Sequence, residues 1–450
     1  MSLPRYGQYK DSGVEWLGQV PAHWRVMKIK RLSPVQRGAS PRPIDDPKYF
    51  DDDGEFSWVR IADVSASNGI LSTTTQRMSE LGASLSVKIQ PGDLFVSIAG
   101  TVGKPCITTI KACIHDGFVY FPMLTIPPAF LYRVFQAGTC YAGLGKFGTQ
   151  LNLNTDTVGS ISIAVPPFEE ILKVLIFLDR EIAKIDTLIA EQEKLIALLA
   201  EKRQATISHA VTRGLNPDAP MKDSGVAWLG DVPAHWEVTR VKRVVSTIEQ
   251  GWSPQCENFP VDGPEEWGVL KVGCVNGGTF DHTENKKLPV ELDPLPKYAL
   301  KKGDLLISRA NTRELVGSAA VVPADFDRLL LCDKLYRLRL IHDECLPDFA
   351  AAFLGTQEAR SQIELDATGA SSSMLNIGQS VVLELPLPLP KLEEQAKIVE
   401  FLQAEADRLD ALSNNSLRAI ALLMERRSAL IAAAVTGQID VRGTVTVESP

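Results

Sequence analysis

The sequence predicts a mixed α/β protein in which two like A domains alternate with two long B helices, in the order A-B-A-B. Three observations carry this. The stretch KDSGVEWLGQVPAHWRVMKIKRL at 10–32 returns as KDSGVAWLGDVPAHWEVTRVKRV at 222–244, with 16 of 23 positions identical and an offset of 212 residues. The stretch 166–212 returns at 390–436 without a gap, offset by 224. Both copies of that second stretch carry apolar residues at alternating steps of three and four, the seam of a coiled coil. A repeat this long lies far beyond the period of a solenoid or propeller, so what was duplicated is domain-sized.

The first A domain covers 1–165 and the second 223–389. Each reads as short apolar runs bounded by Gly and Pro, such as PGDLFVSIAG at 91–100 and KGDLLISRAN at 302–311, which align with each other at an offset of 211. LNLN at 151–154 and LNIG at 375–378 align at 224. The scaffolds are therefore shared, while the loops between these landmarks differ in length and chemistry.

The first long helix is predicted over 166–212. Pro166, Pro167, Glu169 and Glu170 form a proline-and-acid start that suits the positive end of a helix dipole. Ile171, Leu175, Leu178, Ile182, Ile185, Ile189, Ile196 and Leu199 then mark the seam. A linker at 213–222 follows. The second helix, 390–436, repeats the pattern with Val399, Leu402, Ala406, Leu409, Ile420, Leu423, Leu430 and Ala434, and residues 437–450 form a tail. Arg203 and Arg427 fall at equivalent seam positions, where each could cap the seam or face a third protein. With a linker this short, chain order predicts an antiparallel helix pair about 69 Å long with an A domain at each end.

Composition narrows the class. The chain of 450 residues has no apolar run approaching the ~20 residues of a membrane span and no signal-like N-terminus, so a cytoplasmic location is expected. Seven cysteines with no C-x-x-C pair argue against a disulfide framework or a Cys-rich zinc site. The net charge of −8 is unevenly spread: residues 1–165 carry 16 basic and 13 acidic side chains, and residues 221–390 carry 17 and 24. A nucleic-acid surface on the second A domain would have to be a local patch, or lean on a partner.

No catalytic signature is found. VPPF at 165–168 is close to the Asn/Asp-Pro-Pro-Tyr/Phe motif of DNA amino-methyltransferases, but Val165 cannot accept a hydrogen bond from a target amine, and it reads as a helix start. GTVGKP at 100–105 lacks the spacing and the hydroxyl of a phosphate loop and reads as a β-turn. His23 and His235, in matching places beside Trp and Pro, read as hydrogen-bonded structural histidines, with a partner-facing role as the alternative.

The duplicated DSGV.WLG.VPAHW, the PGDL/KGDL strands, the LN…PP..EE approach to the helices and the closing ERRSALIAAAVTGQID together resemble the specificity subunit of a type I DNA restriction-modification system. The resemblance spans nearly the whole chain. It implies a non-catalytic subunit whose A domains are target recognition domains, each reading one half of a split, asymmetric site in double-stranded DNA. The helices would set the unread spacer. It further implies two methyltransferase subunits as partners, with two restriction-translocase subunits able to join. S-adenosylmethionine, ATP and Mg²⁺ would belong to those partners. The alternatives are an orphan two-headed DNA-binding or scaffold protein, and a methyltransferase or nuclease with an unrecognised site.

Base edges are read mostly by Arg, Lys, Asn and Gln, and phosphates by Lys, Arg and backbone amides. In the first A domain, QRGASPRPIDDPKY at 36–49 offers Arg37, Arg42 and Lys48, and YAGLGKFGTQ at 141–150 offers Lys146 and Gln150. In the second, QGWSPQCEN at 250–258 occupies the equivalent place with Gln250, Trp252 and Gln255, and ATGASSSMLN at 367–376 supplies Ser371, Ser372 and Ser373. AGTVG at 99–103 corresponds to ANTRELVG at 310–317, a three-residue insertion that brings Arg313 beside Asn311. Arg313 is read as a base or phosphate contact, with a solvated loop arginine as the alternative. Arg60 and Lys271, at matching positions in predicted strands, complete the set.

Overall fold

The computed structural model describes residues 4–144, 153–371 and 374–444. The chain divides into two compact units, residues 1–193 with 417–450, and residues 194–416. Both are mixed α/β. Among the described residues, no helix is long and apolar enough to cross a membrane. The seven cysteines form no disulfide and all but Cys256 are buried; burial pushes the Cys113 and Cys140 thiols up to about 12.

In the first unit one sheet runs in the order Gln36–Arg37, Phe118–Tyr120, Leu94–Ser97, Pro105–Thr108, Ile70–Leu71. A second sheet runs Gln76–Met78, Phe56–Val59, Ala112–Ile114, Val87–Ile89, with a parallel pair between Phe56–Val59 and Ala112–Ile114. The second unit repeats this plan. Its first sheet is Val245–Gln250, Leu335–Leu340, Leu305–Ser308, Ala319–Val321. Its second is Asn285–Lys287, Gly268–Leu270, Phe326–Leu330, Ala299–Leu300, with the parallel pair between Gly268–Leu270 and Phe326–Leu330. The second sheets share one strand order and one parallel pair, and the first sheets share four strands, to which the first unit adds Ile70–Leu71; this common plan is written in mostly unlike residues.

The PGDL and KGDL landmarks make the same turn in both units. The carboxylate of Asp93 accepts from Gln90 N at 2.7 Å, and that of Asp304 from Lys301 N at 2.9 Å, so each reaches back to tie the entry to its strand. At the other end of those strands the three-residue insertion is visible in the hydrogen bonds. Gly103 N donates to Ser97 O at 2.8 Å, and Gly317 N to Ser308 O at 2.7 Å, so a longer loop closes on the same pair of anchors. The longer loop of the second unit opens on the short strand Ala310–Asn311, which pairs with Met374–Asn376.

The long helices are Phe168–Arg213 and Leu392–Val435. In the first unit, Ile171, Val174, Phe177, Leu178 and Ile182 of the first helix share one core with Ile431, Ala434 and Val435 of the second and with the A-domain side chains Leu94, Val96 and Phe130. In the second unit, Ala210 and Val211 join Ile398 and the A-domain side chains Leu305, Phe349 and Phe353. Helix and A domain are thus one hydrophobic body in each unit, which is how a helix with only an apolar stripe becomes stable.

The two seam arginines resolve into one device used twice. In the first unit Arg427 Nε lies 3.3 Å from Asp186 Oδ1, across an antiparallel helix pair. In the second unit Arg203 pairs with Asp410 and donates to Ala406 O at 3.3 Å, again antiparallel. Both partners are 224 residues apart from their counterparts, so each arginine caps the seam by reaching the facing helix.

The duplicated VPAHW ties helix ends together inside each unit. In the first, His23 Nε2 is 2.8 Å from Glu170 Oε2, and Trp24 Nε1 donates to Glu170 Oε1 at 3.1 Å. The Tyr6 hydroxyl donates to the same Oε1. Glu170 lies in the first turn of the first helix, where the helix dipole also favours its charge. The other side of Trp24 meets Gly437, which has φ +73° and ends the second helix. In the second unit His235 Nε2 is 2.9 Å from Glu394 Oε2, and Trp236 packs against Gly214, φ +74°, at the end of the first helix. Both histidines are hydrogen-bonded within their own unit, and the repeated stretch is a clasp that joins the end of one helix to the start of the other. Residues 437–444 also return to the N-terminal segment, with Asp440 N donating to Pro4 O at 2.7 Å.

Candidate nucleic-acid interface

In the first A domain the strand Gln36–Arg37 pairs with Phe118–Tyr120 and runs into the loop that carries the candidate residues. Glycine is required where the strand ends. A Cβ on Gly38 would lie 2.2 Å from His115 O, so any side chain would push the loop off the turn beneath it. That turn is His115–Asp116–Gly117. Arg37 Nε donates to Asp116 O. Ser40 Oγ donates to Asp116 Oδ1 at 3.4 Å, and Arg42 Nη2 to Asp116 Oδ2 at 3.0 Å. His115 Nδ1 accepts from Gly117 N at 2.8 Å, and burial holds its pKa below the usual imidazole range. With His115 Nδ1 taken up as an acceptor, Arg42 is the cation that answers Asp116. Lys48 Nζ pairs with Asp46 at 2.8 Å.

Loop 98–103 lies between this turn and the start of the helix Ile61–Ala66. Ile98 N donates to Gly117 O at 2.8 Å, and Thr101 Oγ1 lies 2.9 Å from Ser65 Oγ. Arg60 is not inside a strand, as its sequence suggested. It follows the strand Phe56–Val59 and serves as the N-cap of the helix, because its backbone N–H donates to Asp63 Oδ2 at 2.8 Å and turns the chain there. Its guanidinium donates to Gln76 Oε1. The structure thus brings Arg37, Arg42 and loop 98–103 around one turn, with Arg60 at the far side of that loop. Lys146 and Gln150 lie outside the described residues.

The second A domain repeats the core of this arrangement with different chemistry. A Cβ on Gly251 would lie 2.1 Å from Leu331 O, the counterpart of the clash at Gly38. Gln250 Nε2 donates to Asp333 O at 3.1 Å. Ser253 Oγ donates to the Asp333 carboxylate, and Asp333 N returns a bond to Ser253 Oγ at 3.2 Å. Arg309, which the sequence did not single out, adds Nη1 to Asp333 O at 3.3 Å. Trp252 is half-buried, packed on the core that contains Leu331 and Cys332, so its indole is a wedge under the loop. Gln255 is exposed.

Lys271 follows the strand Gly268–Leu270 and starts a 3-10 turn, with Nζ 3.8 Å from Glu284. It too sits just past its strand. Asn311 Nδ2 donates to Asn276 Oδ1 at 3.3 Å. Arg313 is exposed and pairs with Glu364 at 2.9 Å. Ser371 ends the strand Thr368–Ser371, and Ser372 and Ser373 lie outside the described residues.

Most of the candidate cations are therefore held by carboxylates of their own unit at the surface. Exposed ion pairs of this kind are worth at most about 1 kcal/mol, so a DNA phosphate or guanine edge can replace the acid at little cost. What the sequence left unremarked is Asp116 and Asp333. Their signal was present: GASP at 38–41 and GWSP at 251–254 share Gly-x-Ser-Pro, and the strand pairing puts an aspartate opposite each.

Comparison with known proteins agrees with this layout. Residues 260–421 match the family model for the type I restriction modification DNA specificity domain. The chain is 24% identical over 443 residues to the EcoKI specificity subunit of Escherichia coli K12, covering 94% of this chain and 91% of that one. It is 26% identical over 210 residues to the EcoEI specificity subunit of Escherichia coli, a match that spans 35% of that relative. Among solved structures, the HsdS subunit from Thermoanaerobacter tengcongensis superposes with a TM-score of 0.53 at 16% identity, over 93% of this chain and 98% of that one. A chain from a type I restriction-modification system gives 0.62 at 18% identity, over 92% and 98%. With both A domains sharing a strand plan and both clasps at matching helix ends, the chain is similar over nearly its whole length to the specificity subunits of type I DNA restriction-modification systems.

Proposed function

We propose that this chain gives a type I restriction-modification complex its DNA sequence specificity, each A domain reading one half of a bipartite, asymmetric site. One observation carries the reading: the two A domains hold corresponding loops with the same backbone device while presenting unlike side chains from them. Arg42 and Lys48 stand in the first loop where Gln255 and Glu257 stand nearby in the second. A shared scaffold with divergent tips suits two unlike half-sites, because base edges are discriminated by the donors and acceptors facing them.

Exchanging residues 36–160 for the corresponding segment of another specificity subunit is expected to change one half of the methylated site and leave the other intact. Methylome sequencing of cells carrying the chain with its methyltransferase checks this, and a change in both halves would refute modular reading. The duplicated clasps and helices suit two copies of one methyltransferase subunit, with restriction-translocase subunits able to join them. S-adenosylmethionine, ATP and Mg²⁺ act on those partners under this reading. The purified chain alone is expected neither to methylate nor to cut DNA, in a tritiated methyl-transfer assay and a plasmid-nicking assay; activity without partners would sink the proposal.

A further inference from the structure

The same five-part arrangement occurs in both A domains. An edge strand ends at a glycine pressed on backbone carbonyls, Gly38 on His115 O and Gly251 on Leu331 O. The residue before it, Arg37 or Gln250, donates to the carbonyl of an aspartate in the facing turn. The serine two residues after the glycine, Ser40 or Ser253, donates to that aspartate's carboxylate. The aspartates, Asp116 and Asp333, occupy the turn before topologically equivalent strands. Beyond the shared Ser-Pro the two loops differ in most of their side chains.

A device kept in form while its cargo changes is a mount. We propose that Asp116 and Asp333 are positioning residues for sequence reading, each latching the recognition loop of its own A domain to the core of that domain. This rests on the DNA-reading function proposed above. The carboxylate is suited to the task because it accepts several hydrogen bonds at once and can take the serine while leaving an oxygen for a second donor. In the first A domain Arg42 uses that second oxygen, so the latch also aims an exposed guanidinium. In the second, Arg309 secures the turn through the Asp333 carbonyl instead, and its own carbonyl accepts from Ile377 N at 3.0 Å. The latch there reaches the hairpin that carries Ser371.

Reading a base edge requires a side chain held to within a fraction of an ångström. Releasing the loop should therefore admit wrong bases more than it weakens folding. Asp116→Ala and Asp333→Ala, each in the full chain with its methyltransferase, are tested by methylome sequencing. The expected result is on the order of a ten-fold loss of discrimination, confined to one half of the site for Asp116→Ala and to the other half for Asp333→Ala. Ser40→Ala and Ser253→Ala should relax the same halves respectively, more weakly, and they keep the test open if an aspartate variant fails to fold. A purely structural role would lower the extent of methylation at the correct site without admitting new sequences, and that outcome overturns the latch. So does relaxation of both halves by one variant. If the unmodified chain directs methylation to a bipartite site while all four variants stay strict, only the latch is lost. If the unmodified chain directs no sequence-specific methylation, the DNA-reading function falls with it.

Discussion

Replacing Arg337 by alanine is expected to destabilise the second unit by about 3–5 kcal/mol, the cost of leaving one member of a buried ion pair alone. Arg337 is 1% exposed, on the strand Leu335–Leu340. It donates to Ala299 O at 2.7 Å and to Lys297 O at 2.9 Å, and it pairs with Glu249 and Asp304. Asp304 is the decisive partner because it is only 2% exposed. Among the described residues, without Arg337 its charge is met by Lys301 N and by Arg339, whose side chain is 42% exposed. Two carbonyls lose their donor as well. Arg337→Lys should recover only part of the loss, since one ammonium cannot span four acceptors in three directions. Thermal unfolding of the full chain should show a transition lowered by roughly 10 °C, with hydrogen exchange placing the loss in residues 194–416. A drop near 1 kcal/mol would mean that the network contributes register and not stability.

Glu170→Ala should cost the first unit about 3 kcal/mol, from two buried donors left unsatisfied at about 1–3 kcal/mol each. Those donors are Trp24 Nε1 and the Tyr6 hydroxyl, which share Glu170 Oε1 in a site where the carboxylate is 7% exposed. Burial, reinforced by the Glu170 hydrogen bond, pushes the Tyr6 phenol far above its ordinary range, so it remains a donor at any working pH. The equivalent change in the second unit, Glu394→Ala, should cost no more than about 1 kcal/mol. Glu394 is 31% exposed and its partner His235 53%. Trp236 Nε1 has no hydrogen-bond partner among the described residues, so the change orphans no indole donor there. Denaturant unfolding of both variants checks the difference, and equal losses would show that the clasp works by packing alone.

The clasp contrast marks where the sequence stopped being legible. It gave Trp24 and Trp236, His23 and His235, and Glu170 and Glu394 the same letters at matching places in their repeats. Nothing in that identity says that the first copy also receives Tyr6, because the neighbouring chain differs: the segment holding Tyr6 precedes one copy and the end of a long helix precedes the other. Arg337 is a similar case. Its place in LYRLRL suggests an ordinary outward-facing charge, and only the packing of strands on both sides turns it inward. Gln395 stands where the first helix has Ile171, and it is fully buried because its amide meets Leu346 N, Glu344 O and Pro390 O.

The sequence by itself determined the mixed α/β class, the A-B-A-B order, the heptad seams and the resemblance to type I specificity subunits, since each of these is written as a period or a repeat. Local chemistry and alignment suffice to read a period. Only the tertiary structure decided which charges are buried, which candidate cations are already held by carboxylates, and that Asp116 and Asp333 anchor the loops. Those facts depend on which backbone passes beside a residue, and strands at 36–37 and 118–120, or at 245–250 and 335–340, are brought together by pairing between segments some eighty to ninety residues apart.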